Sequence, residues 1–181
     1  IPDNGLLVDA VNSRVSSYVL SGNIRGELSV FDRCSQQYLI FGEKQGPLRR
    51  LSAIRDGYGN TVAFIYQDER LVQVTHSDGY VLDLDWLNGQ LASITLAMQE
   101  KTQCLVTCRY DEQGMLVECD SFQFAHRWHR YDPEGRMVFW RDEDGTQVDL
   151  CYDAQGRVTE TKTPEGYYND RFIYNDAERQ N

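Results

Sequence analysis

A short pattern of an aromatic residue, an aspartate and a glycine recurs along this chain at a regular interval. It is clearest at residues 110–116, 131–137 and 152–158, each of which begins with Tyr-Asp and carries Gly at the fifth position. Successive copies begin 21 residues apart in both cases. Self-similarity at a fixed period in the twenties indicates a repeat architecture. The chain is therefore expected to consist of copies of one supersecondary unit.

Weaker copies extend the array in both directions. The aromatic spacings along the chain are 20, 24, 21, 21 and 22 residues. A second turn signal lies roughly midway in most units, at residues 56–60, 77–79, 144–146 and 164–166. Each unit is therefore expected to contain two strands and two turns. The residues that define the repeats are Tyr66, Trp86, Tyr110, Asp111, Gly114, Tyr131, Asp132, Gly135, Tyr152, Asp153, Gly156 and Tyr174.

Hydrophobic periodicity favours strands over helices. The even positions from 80 to 86 are apolar, whereas Asp83 and Asp85 fall on the other face, and residues 104–110 and 146–152 alternate similarly. A period of two is typical of a half-buried β-strand. The sequence predicts a helix-poor, all-β fold of antiparallel hairpins, with turns at residues 111–114, 132–135, 144–145 and 153–156.

The turn residues have a local physical explanation. Gly114 and its two counterparts occur where a four-residue hairpin loop needs a left-handed residue, which costs other residues about 1 kcal/mol or more. The preceding aspartates can accept a hydrogen bond from the backbone N–H two residues ahead. Residues 67–70 lack the glycine, so that loop is expected to be shorter and of another type.

The repeated tyrosines allow two interpretations. One tyrosine per unit could stack on its counterpart in the next hairpin, as an aromatic ladder worth about 0.2 to 1 kcal/mol per pair. Aromatic rows on strands can instead bind sugar rings. The structural interpretation is preferred, because each tyrosine is tied to the turn signature.

The pattern Tyr-Asp-x-x-Gly-Arg, repeated at this spacing, resembles the YD repeat of the Rhs (rearrangement hotspot) proteins of bacteria. Residues 30–33, 38–42, 51–56 and 59–60 look like the segment through which such proteins enter their repeats. The resemblance covers roughly residues 28–181, and residues 1–27 carry no motif. Residues 1–48 are accordingly predicted to be an N-terminal β-hairpin segment that continues into an array of about six units at residues 49–181.

The resemblance implies a spiralling, curved sheet that is part of a larger hollow β-shell around a C-terminal toxin domain. Such toxins are often exported by type VI or related secretion systems in competition between bacteria. The implied partners are the remaining YD repeats and toxin domain of the same protein, with secretion-apparatus proteins or a chaperone. Folding in the bacterial cytoplasm and subsequent secretion are implied as well. The alternative is a carbohydrate-binding or adhesion module, as in the related teneurins of animals, and a hydrolase is a third class.

Charge and length narrow these classes. There are 18 basic and 28 acidic side chains, a net charge of −10, and the basic residues are scattered. This balance argues against nucleic acid as a partner, because such affinity comes largely from neutralised phosphates. No apolar run approaches the length of a membrane span. The chain begins without Met and stops shortly after another unit begins, so a part of a larger protein is expected.

Five cysteines form no CxxC pair and are an odd number, which favours reduced thiols over a disulfide framework. One cluster has a zinc-like composition: Cys104, Cys108, Cys119, His126 and His129. However, Cys104 and Cys108 would lie about 13 Å apart along one strand, too far to share an ion. The cysteines are expected to act as small hydrophobic residues, without a metal or cofactor.

No catalytic constellation stands out either. The histidines, at positions 76, 126 and 129, lie near no Gly-x-Ser-x-Gly elbow or Cys–His signature. Residues 132–135, Asp-Pro-Glu-Gly, are similar to the autoproteolysis motif that ends the Rhs repeats, but here they form the turn of an ordinary unit. The chain is expected to be non-catalytic.

The N-terminal part has weaker signals. Strands are expected at Val15 to Leu20 and Leu28 to Phe31, with loop-like punctuation at residues 21–23 and 25–27. A hairpin turn at residues 33–37 would lead into a strand from Tyr38 to Phe41, and a loop from 42 to 47 into the repeats.

A sheet with one apolar face needs that face covered. The isolated chain is therefore not expected to be a well-behaved monomer.

Overall fold

The computed structural model describes residues 5–11, 17–42, 44, 46–123, 126–167 and 169–175. Within these ranges the regular elements are β-strands, and no residue is helical. The strands are β1 Leu6–Val11, β2 Tyr18–Asn23, β3 Leu28–Asp32, β4 Gln37–Phe41, β5 Leu51–Asp56, β6 Thr61–Gln67, β7 Arg70–His76, β8 Tyr80–Leu87, β9 Gln90–Met98, β10 Lys101–Tyr110, β11 Leu116–Ser121, β12 Arg127–Tyr131, β13 Met137–Asp142, β14 Gln147–Tyr152 and β15 Val158–Lys162.

Strand order in the sheet follows the order of the sequence, so each strand is hydrogen-bonded to the next one along the chain. The registers from β1 to β8 and from β10 to β15 are all antiparallel. The predicted all-β fold of antiparallel hairpins is confirmed. Two compact units can be distinguished, residues 1–85 with 95–103 and residues 86–94 with 104–181. The predicted boundary between residues 48 and 49 stays a prediction.

The N-terminal part departs from the sequence-based expectation. Strand β1 was not expected, and β2 continues through residues 21–23, which were interpreted as punctuation. Gly22 explains the error: its φ is +111°, and a Cβ there would lie 2.5 Å from the carbonyl oxygen of Glu27. The glycine permits a close approach of two strands instead of a turn. The expected start at Val15 lies outside the described residues, whereas β3, β4 and the turn between them agree with expectation.

The hairpin loops are of two kinds, two-residue loops and the longer turns at residues 111–114, 132–135 and 153–156. Two-residue loops join β6 to β7 at Asp68 and Glu69, with φ of 47° and 71°, and β8 to β9 at Asn88 and Gly89, with φ of 51° and 87°. Left-handed φ at both positions defines a type I′ turn, which matches the twist of the flanking strands. The different loop type expected at residues 67–70 is confirmed.

A third two-residue connection, residues 99–100, joins β9 to β10 and was not predicted. These two strands have 9 and 10 residues, the longest of the described strands. Their length accounts for the spacing of 24 residues between Trp86 and Tyr110.

Burial is shallow. Among the described residues only Val19, Ile40 and Val148 are buried apolar side chains. The accessible surface is 13327 Å², compared with about 9,000 Å² for a compact monomer of this mass. The alternation is still visible in β14, where Val148 is buried and Asp149 is exposed. The apolar face is therefore only partly covered.

Candidate functional site: the joint between successive hairpins

Each well-formed turn is organised by its aspartate. In residues 132–135, one carboxylate oxygen of Asp132 accepts hydrogen bonds from the N–H groups of Glu134, at 3.1 Å, and Arg136, at 2.9 Å. The N–H of Gly135, at φ +77°, donates to the carbonyl of Asp132 at 2.9 Å. The bond two residues ahead was predicted, whereas the bond four residues ahead was not.

The other two strong copies repeat this geometry. Asp111 accepts from residues 113 and 115 at 3.0 and 2.8 Å, and Asp153 accepts from residues 155 and 157 at 2.9 Å in both cases. Gly114 and Gly156 have φ of +84° and +77°. The Asp-Pro-Glu-Gly segment is thus an ordinary turn of the array.

A β-bulge lies beside the tyrosine that precedes each of these three turns. Tyr131 pairs with Met137 and Arg130 pairs with Phe139, so Val138 is the extra residue on β13. The register shifts in the same way at Tyr110 and Tyr152. Bulges re-aim side chains and increase the local twist. The bulge fixes where each tyrosine points, and nothing in the local sequence announced it.

Each tyrosine hydroxyl reaches back to the preceding hairpin. It donates to a main-chain carbonyl at or next to the start of that hairpin's returning strand. The donors and acceptors are Tyr110 to Leu91 at 3.1 Å, Tyr131 to Leu116 at 2.9 Å, Tyr152 to Met137 at 2.6 Å and Tyr174 to Val158 at 2.7 Å. We call this contact, together with the residue that precedes the acceptor, the repeat joint.

The residue before each acceptor reaches forward to the next hairpin. Arg136 bonds Asp132 of its own turn through Nε at 2.7 Å, and its guanidinium carbon lies 5.0 Å from the ring centroid of Tyr152. Arg157 likewise bonds Asp153 at 2.7 Å and lies 4.4 Å from the ring of Tyr174. Each arginine therefore connects its own turn with the tyrosine of the following unit, a role that the sequence analysis missed although the motif contains the arginine.

Other side chains take this position in the earlier units. Gln90 donates to the carbonyl of Gly114 at 2.8 Å, and the terminal methyl of Met115 lies 3.8 Å from where a Cβ on Gly135 would be. The joint thus recurs with different chemistry.

The predicted ladder of stacked tyrosines is wrong. Among the described residues, none of the ring contacts joins two of the repeat tyrosines. Tyr110, Tyr131 and Tyr152 lie on β10, β12 and β14, hence two strands or about 9 to 10 Å apart. Aromatic pairs need centroids within about 7 Å. The rings of Tyr152 and Tyr174 each contact an arginine instead, Arg136 and Arg157 respectively.

The weaker copies retain part of this arrangement. The guanidinium of Arg50 lies 5.1 Å from the ring centroid of Tyr66, which resembles the later arginine–tyrosine contacts. Trp86 is 37% exposed. The structure therefore places eleven of the twelve repeat-defining residues in or beside hairpin turns, whereas Tyr174 follows β15 outside any described turn, and it does not gather them into one pocket.

The electrostatics suit a structural joint. Burial raises the pKa of Tyr131, as does the nearby charge of Asp111, so its hydroxyl remains a donor at neutral pH. The backbone N–H of Arg157 and then its guanidinium lower the pKa of Asp153. Partial desolvation opposes this effect at Asp132, but the hydrogen bonds from Arg136 outweigh it and the pKa is again lowered.

A second group of side chains lies in one row across β10 to β13, and we call it the Glu118 row. Arg109, Glu118, Trp128 and Arg141 are successive cross-strand partners. Glu118 pairs with Arg109 and with Nε2 of His126, the latter at 2.6 Å. The His126 ring stacks on Trp128 with centroids 4.1 Å apart, and Arg141 lies 4.4 Å from the Trp128 ring.

This row bears on the zinc-like cluster. His126 is occupied by Glu118 and Trp128, whereas burial lowers the pKa of His129, which lies on the other face with the Arg127 charge nearby. Across the part of the chain that the structure describes, no group of three or more His, Cys, Asp or Glu side chains could hold a metal ion. All five cysteines are free thiols.

None of the described residues is helical, so no helix among them is long and apolar enough to cross a membrane.

Comparison with known proteins matches this chain to an Rhs repeat model and to two relatives with Rhs names. Residues 131–168 match the family model described as RHS Repeat. The chain is 37% identical over 152 residues to "Probable deoxyribonuclease RhsA" of Dickeya dadantii, and 35% identical to "Probable deoxyribonuclease RhsB" of the same organism. Each match covers 83% of this chain and 11% of the relative, so the chain spans about a tenth of those proteins.

Solved structures support the fold. A crystal structure of TcdB2-TccC3-TEV matches 77% of this chain with a TM-score of 0.51 and 18% identity. A structure of the Photorhabdus luminescens Tc holotoxin pore matches 82% with a TM-score of 0.51 and 17% identity. The chain covers 7% and 8% of those two chains.

Proposed function

We propose, from the premise that this chain belongs to the Rhs (YD-repeat) family, that it is a non-catalytic segment of a repeat shell. In this proposal the shell encloses the C-terminal toxin domain of a longer Rhs protein, which is exported in competition between bacteria. The observation that carries the proposal is the repeat joint. The hydroxyls of Tyr110, Tyr131, Tyr152 and Tyr174 all bond the preceding hairpin.

The rings and hydroxyls of the repeat tyrosines are engaged in contacts within the protein, which supports a structural role. A sugar-binding tyrosine presents a free ring face and a free hydroxyl to its ligand. In the joint the hydroxyl is already a donor to a carbonyl, and at Tyr152 and Tyr174 an arginine lies over the ring. The motif that recurs most faithfully is thus the one with least capacity left for a ligand.

The shallow burial supports a partner from the same protein. Only three described apolar side chains are buried, and the accessible surface exceeds that of a compact monomer by about half. The matched 152 residues are 11% of the first relative, which is therefore between seven and eight times as long as this chain and has ample protein to cover the apolar face. We therefore assign the remaining repeats and the enclosed toxin domain as its partners.

The test compares the 181-residue chain alone with the longer protein that contains it. Alone, the chain is expected to self-associate in light scattering and to bind a hydrophobic dye. Within the longer protein, the same residues are expected to be protected from proteolysis and from dye. A chain that is monomeric, melts cooperatively and binds a glycan tightly would overturn the proposal.

The names of the relatives raise the question of DNA cleavage. We place any such activity of a longer protein outside this chain, because the net charge is −10 and no metal-binding group occurs among the described residues. Purified chain incubated with plasmid DNA and Mg²⁺ is expected to leave the plasmid intact. Cleavage that survives further purification and is lost on substitution of Glu118 would contradict this.

We also propose folding in the bacterial cytoplasm followed by secretion, with a chaperone or type VI secretion proteins as transient partners. Two measurements test this proposal. Purification of the longer protein from cells shows whether a chaperone or secretion proteins accompany it, and its amount in the culture medium is compared between wild-type cells and cells lacking the secretion apparatus. Equal amounts in both culture media would argue against the route.

Carbohydrate binding or adhesion is the second candidate, on one observation. Tyr58 and Tyr167 lie in the turns between the joints and are 95% and 80% exposed. Tyr167 lines an open cavity together with Asp144 and Thr146. If this candidate is correct, the Tyr167→Ala variant loses glycan binding while Tyr152→Phe retains it. If the shell proposal is correct, neither variant nor wild type binds glycans.

A further inference from the structure

Two of the five thiols face each other across neighbouring strands. Cys108 on β10 and Cys119 on β11 are direct cross-strand partners, between the pairs Thr107–Asp120 and Arg109–Glu118. Both side chains are half-buried. The spacing of Cys104 and Cys108 along one strand gave no indication of this pair across the hairpin.

The register decides how close the two side chains lie. The N–H of Phe122 donates to the carbonyl of Leu105 at 2.8 Å, which marks Leu105 and Phe122 as a hydrogen-bonded pair. Hydrogen-bonded and non-hydrogen-bonded pairs alternate along an antiparallel ladder. Three positions further along this constant register, Cys108 and Cys119 therefore form a non-hydrogen-bonded pair.

Such pairs bring side chains close together. Their Cα atoms lie about 4.5 Å apart, and disulfides form between Cα atoms about 4.4 to 6.8 Å apart. Mutual influence agrees with this proximity: burial raises the pKa of the Cys119 thiol, and the neighbouring Cys108 raises it further. The two sulfur atoms can therefore be joined without moving either strand.

The other thiols have no such partner. Cys151 faces Glu160 across β14 and β15, and Cys34 is exposed in the turn after β3. Cys104 is exposed and precedes Cys108 by four residues on the same strand, about 13 Å away. The strand register therefore places only Cys108 and Cys119, among the five cysteines, where they can form a cross-strand disulfide.

An oxidant can reach the pair. Cys119 lines an open cavity of about 540 Å³, whose other walls include Val106, Phe122 and Arg127. The lining is mostly apolar, apart from the positive charge of Arg127. A small, anionic disulfide compound fits this setting.

We propose that Cys108 and Cys119 are a redox modification site, at which a low-molecular-weight disulfide converts the two thiols into one cross-strand disulfide. A thiolate of one cysteine attacks the small disulfide and releases one small thiolate. The thiolate of the other cysteine then attacks the protein sulfur of the mixed disulfide and releases the second. Two electrons pass from the cysteines to the small disulfide, and their two protons go to the released thiols.

The experiment uses the longer protein that contains this sequence, purified with reductant, carrying Cys104→Ser, and then exposed to oxidised glutathione. Trypsin cuts after Lys101, Arg109 and Arg127, so the two cysteines fall in peptides 102–109 and 110–127. The expected result is one linked pair of these peptides, lighter than their sum by two hydrogens. Without the Cys104 substitution, alkylation should count three of this sequence's five cysteines instead of five.

A matched control keeps the thiol number and the face of the sheet. In the variant Cys119→Ser with Ser121→Cys, the second thiol lies diagonally from Cys108, about 7 to 8 Å away. This variant is expected to accumulate mixed disulfides and no link. The proposal is overturned if the diagonal variant links as readily as the direct pair, or if the direct pair links no faster in native protein than in urea. In protein that retains Cys104, a disulfide between Cys104 and Cys119 that forms as readily as the one between Cys108 and Cys119 would overturn the proposal too.

Discussion

The hydroxyl of Tyr152 donates a 2.6 Å hydrogen bond to the carbonyl oxygen of Met137, fifteen residues earlier in the chain. The residue before that carbonyl, Arg136, places its guanidinium 5.0 Å from the same tyrosine ring. One hairpin thus holds the next by its main chain and by a charged side chain at once.

Tyr152→Phe should destabilise the β14–β15 hairpin by about 1 kcal/mol, because the carbonyl of Met137 loses its donor while the ring stays. Hydrogen exchange of the peptides around residues 137 and 152 measures the local opening free energy. Tyr58→Phe is the control, because this tyrosine is 95% exposed and in no joint. Equal effects of the two substitutions would show that the hydrogen bond contributes nothing.

Gly114→Ala should cost more than Gly156→Ala, although both have left-handed φ. A Cβ on Gly156 meets nothing within 4 Å, so the expected cost is only the φ term of about 1 kcal/mol. A Cβ on Gly114 would lie 3.0 Å from Nε2 of Gln90, which donates to the carbonyl of that glycine. Urea midpoints of both variants test the order, and a Gln90→Ala background should make the two costs equal.

Asp153→Asn should lower stability in a pH-dependent manner. Hydrogen bonds from Arg157 lower the pKa of Asp153 in the folded state, so its charge stabilises the fold above the unfolded value of about 3.9. That stabilisation is lost as pH falls through the folded pKa. The difference between wild type and variant should therefore be full at pH 6, begin to shrink as pH falls below about 4, and vanish below the folded pKa of Asp153. A difference that stays constant from pH 3 to 7 would refute the role of the charge.

Glu69→Gly should stabilise the β6–β7 hairpin by about 1 kcal/mol. Glu69 has φ of 71° in a type I′ turn, a conformation that favours glycine. The lost contact with Arg50, at 3.6 Å, is worth little because the Glu69 side chain is 89% exposed. Thermal melting compares Glu69→Gly with Glu69→Ala, which removes the same contact without relieving φ and should not stabilise.

The turns could be predicted because their determinants are local. Asp and Gly at fixed offsets dictate the same hydrogen bonds at Asp111, Asp132 and Asp153 wherever the chain carries them. The alternation of apolar and polar positions set the strands in the same way. The role of Gly22 could not be predicted, because glycine serves both in turns and where two strands approach closely, and only the position of the neighbouring strand distinguishes the two.

The joint could not be predicted because it depends on register. A bulge at Tyr131 and its counterparts decides which carbonyl each hydroxyl meets, and the extra residues, such as Val138, have no distinctive sequence. The ladder hypothesis placed one tyrosine on every second strand but did not allow for the separation of about 9 to 10 Å that this spacing imposes. The arginine of the motif was the available signal, since a cation at a fixed distance from an aromatic residue is itself a pattern.

The direction of the joint gives the array a polarity, in the sense that a polymer with unlike ends has one. The hydroxyls of the repeat tyrosines point backwards along the chain, and Arg136 and Arg157 point forwards, so each unit offers an acceptor to its successor and a donor to its predecessor. Stability then accumulates from nearest neighbours. A whole 21-residue copy could be gained or lost by recombination between units without changing either neighbour, whereas deletion of the half that carries the returning strand would remove the carbonyl that accepts from the next tyrosine hydroxyl. Gene duplication of such a chain should therefore leave lengths that differ by whole units.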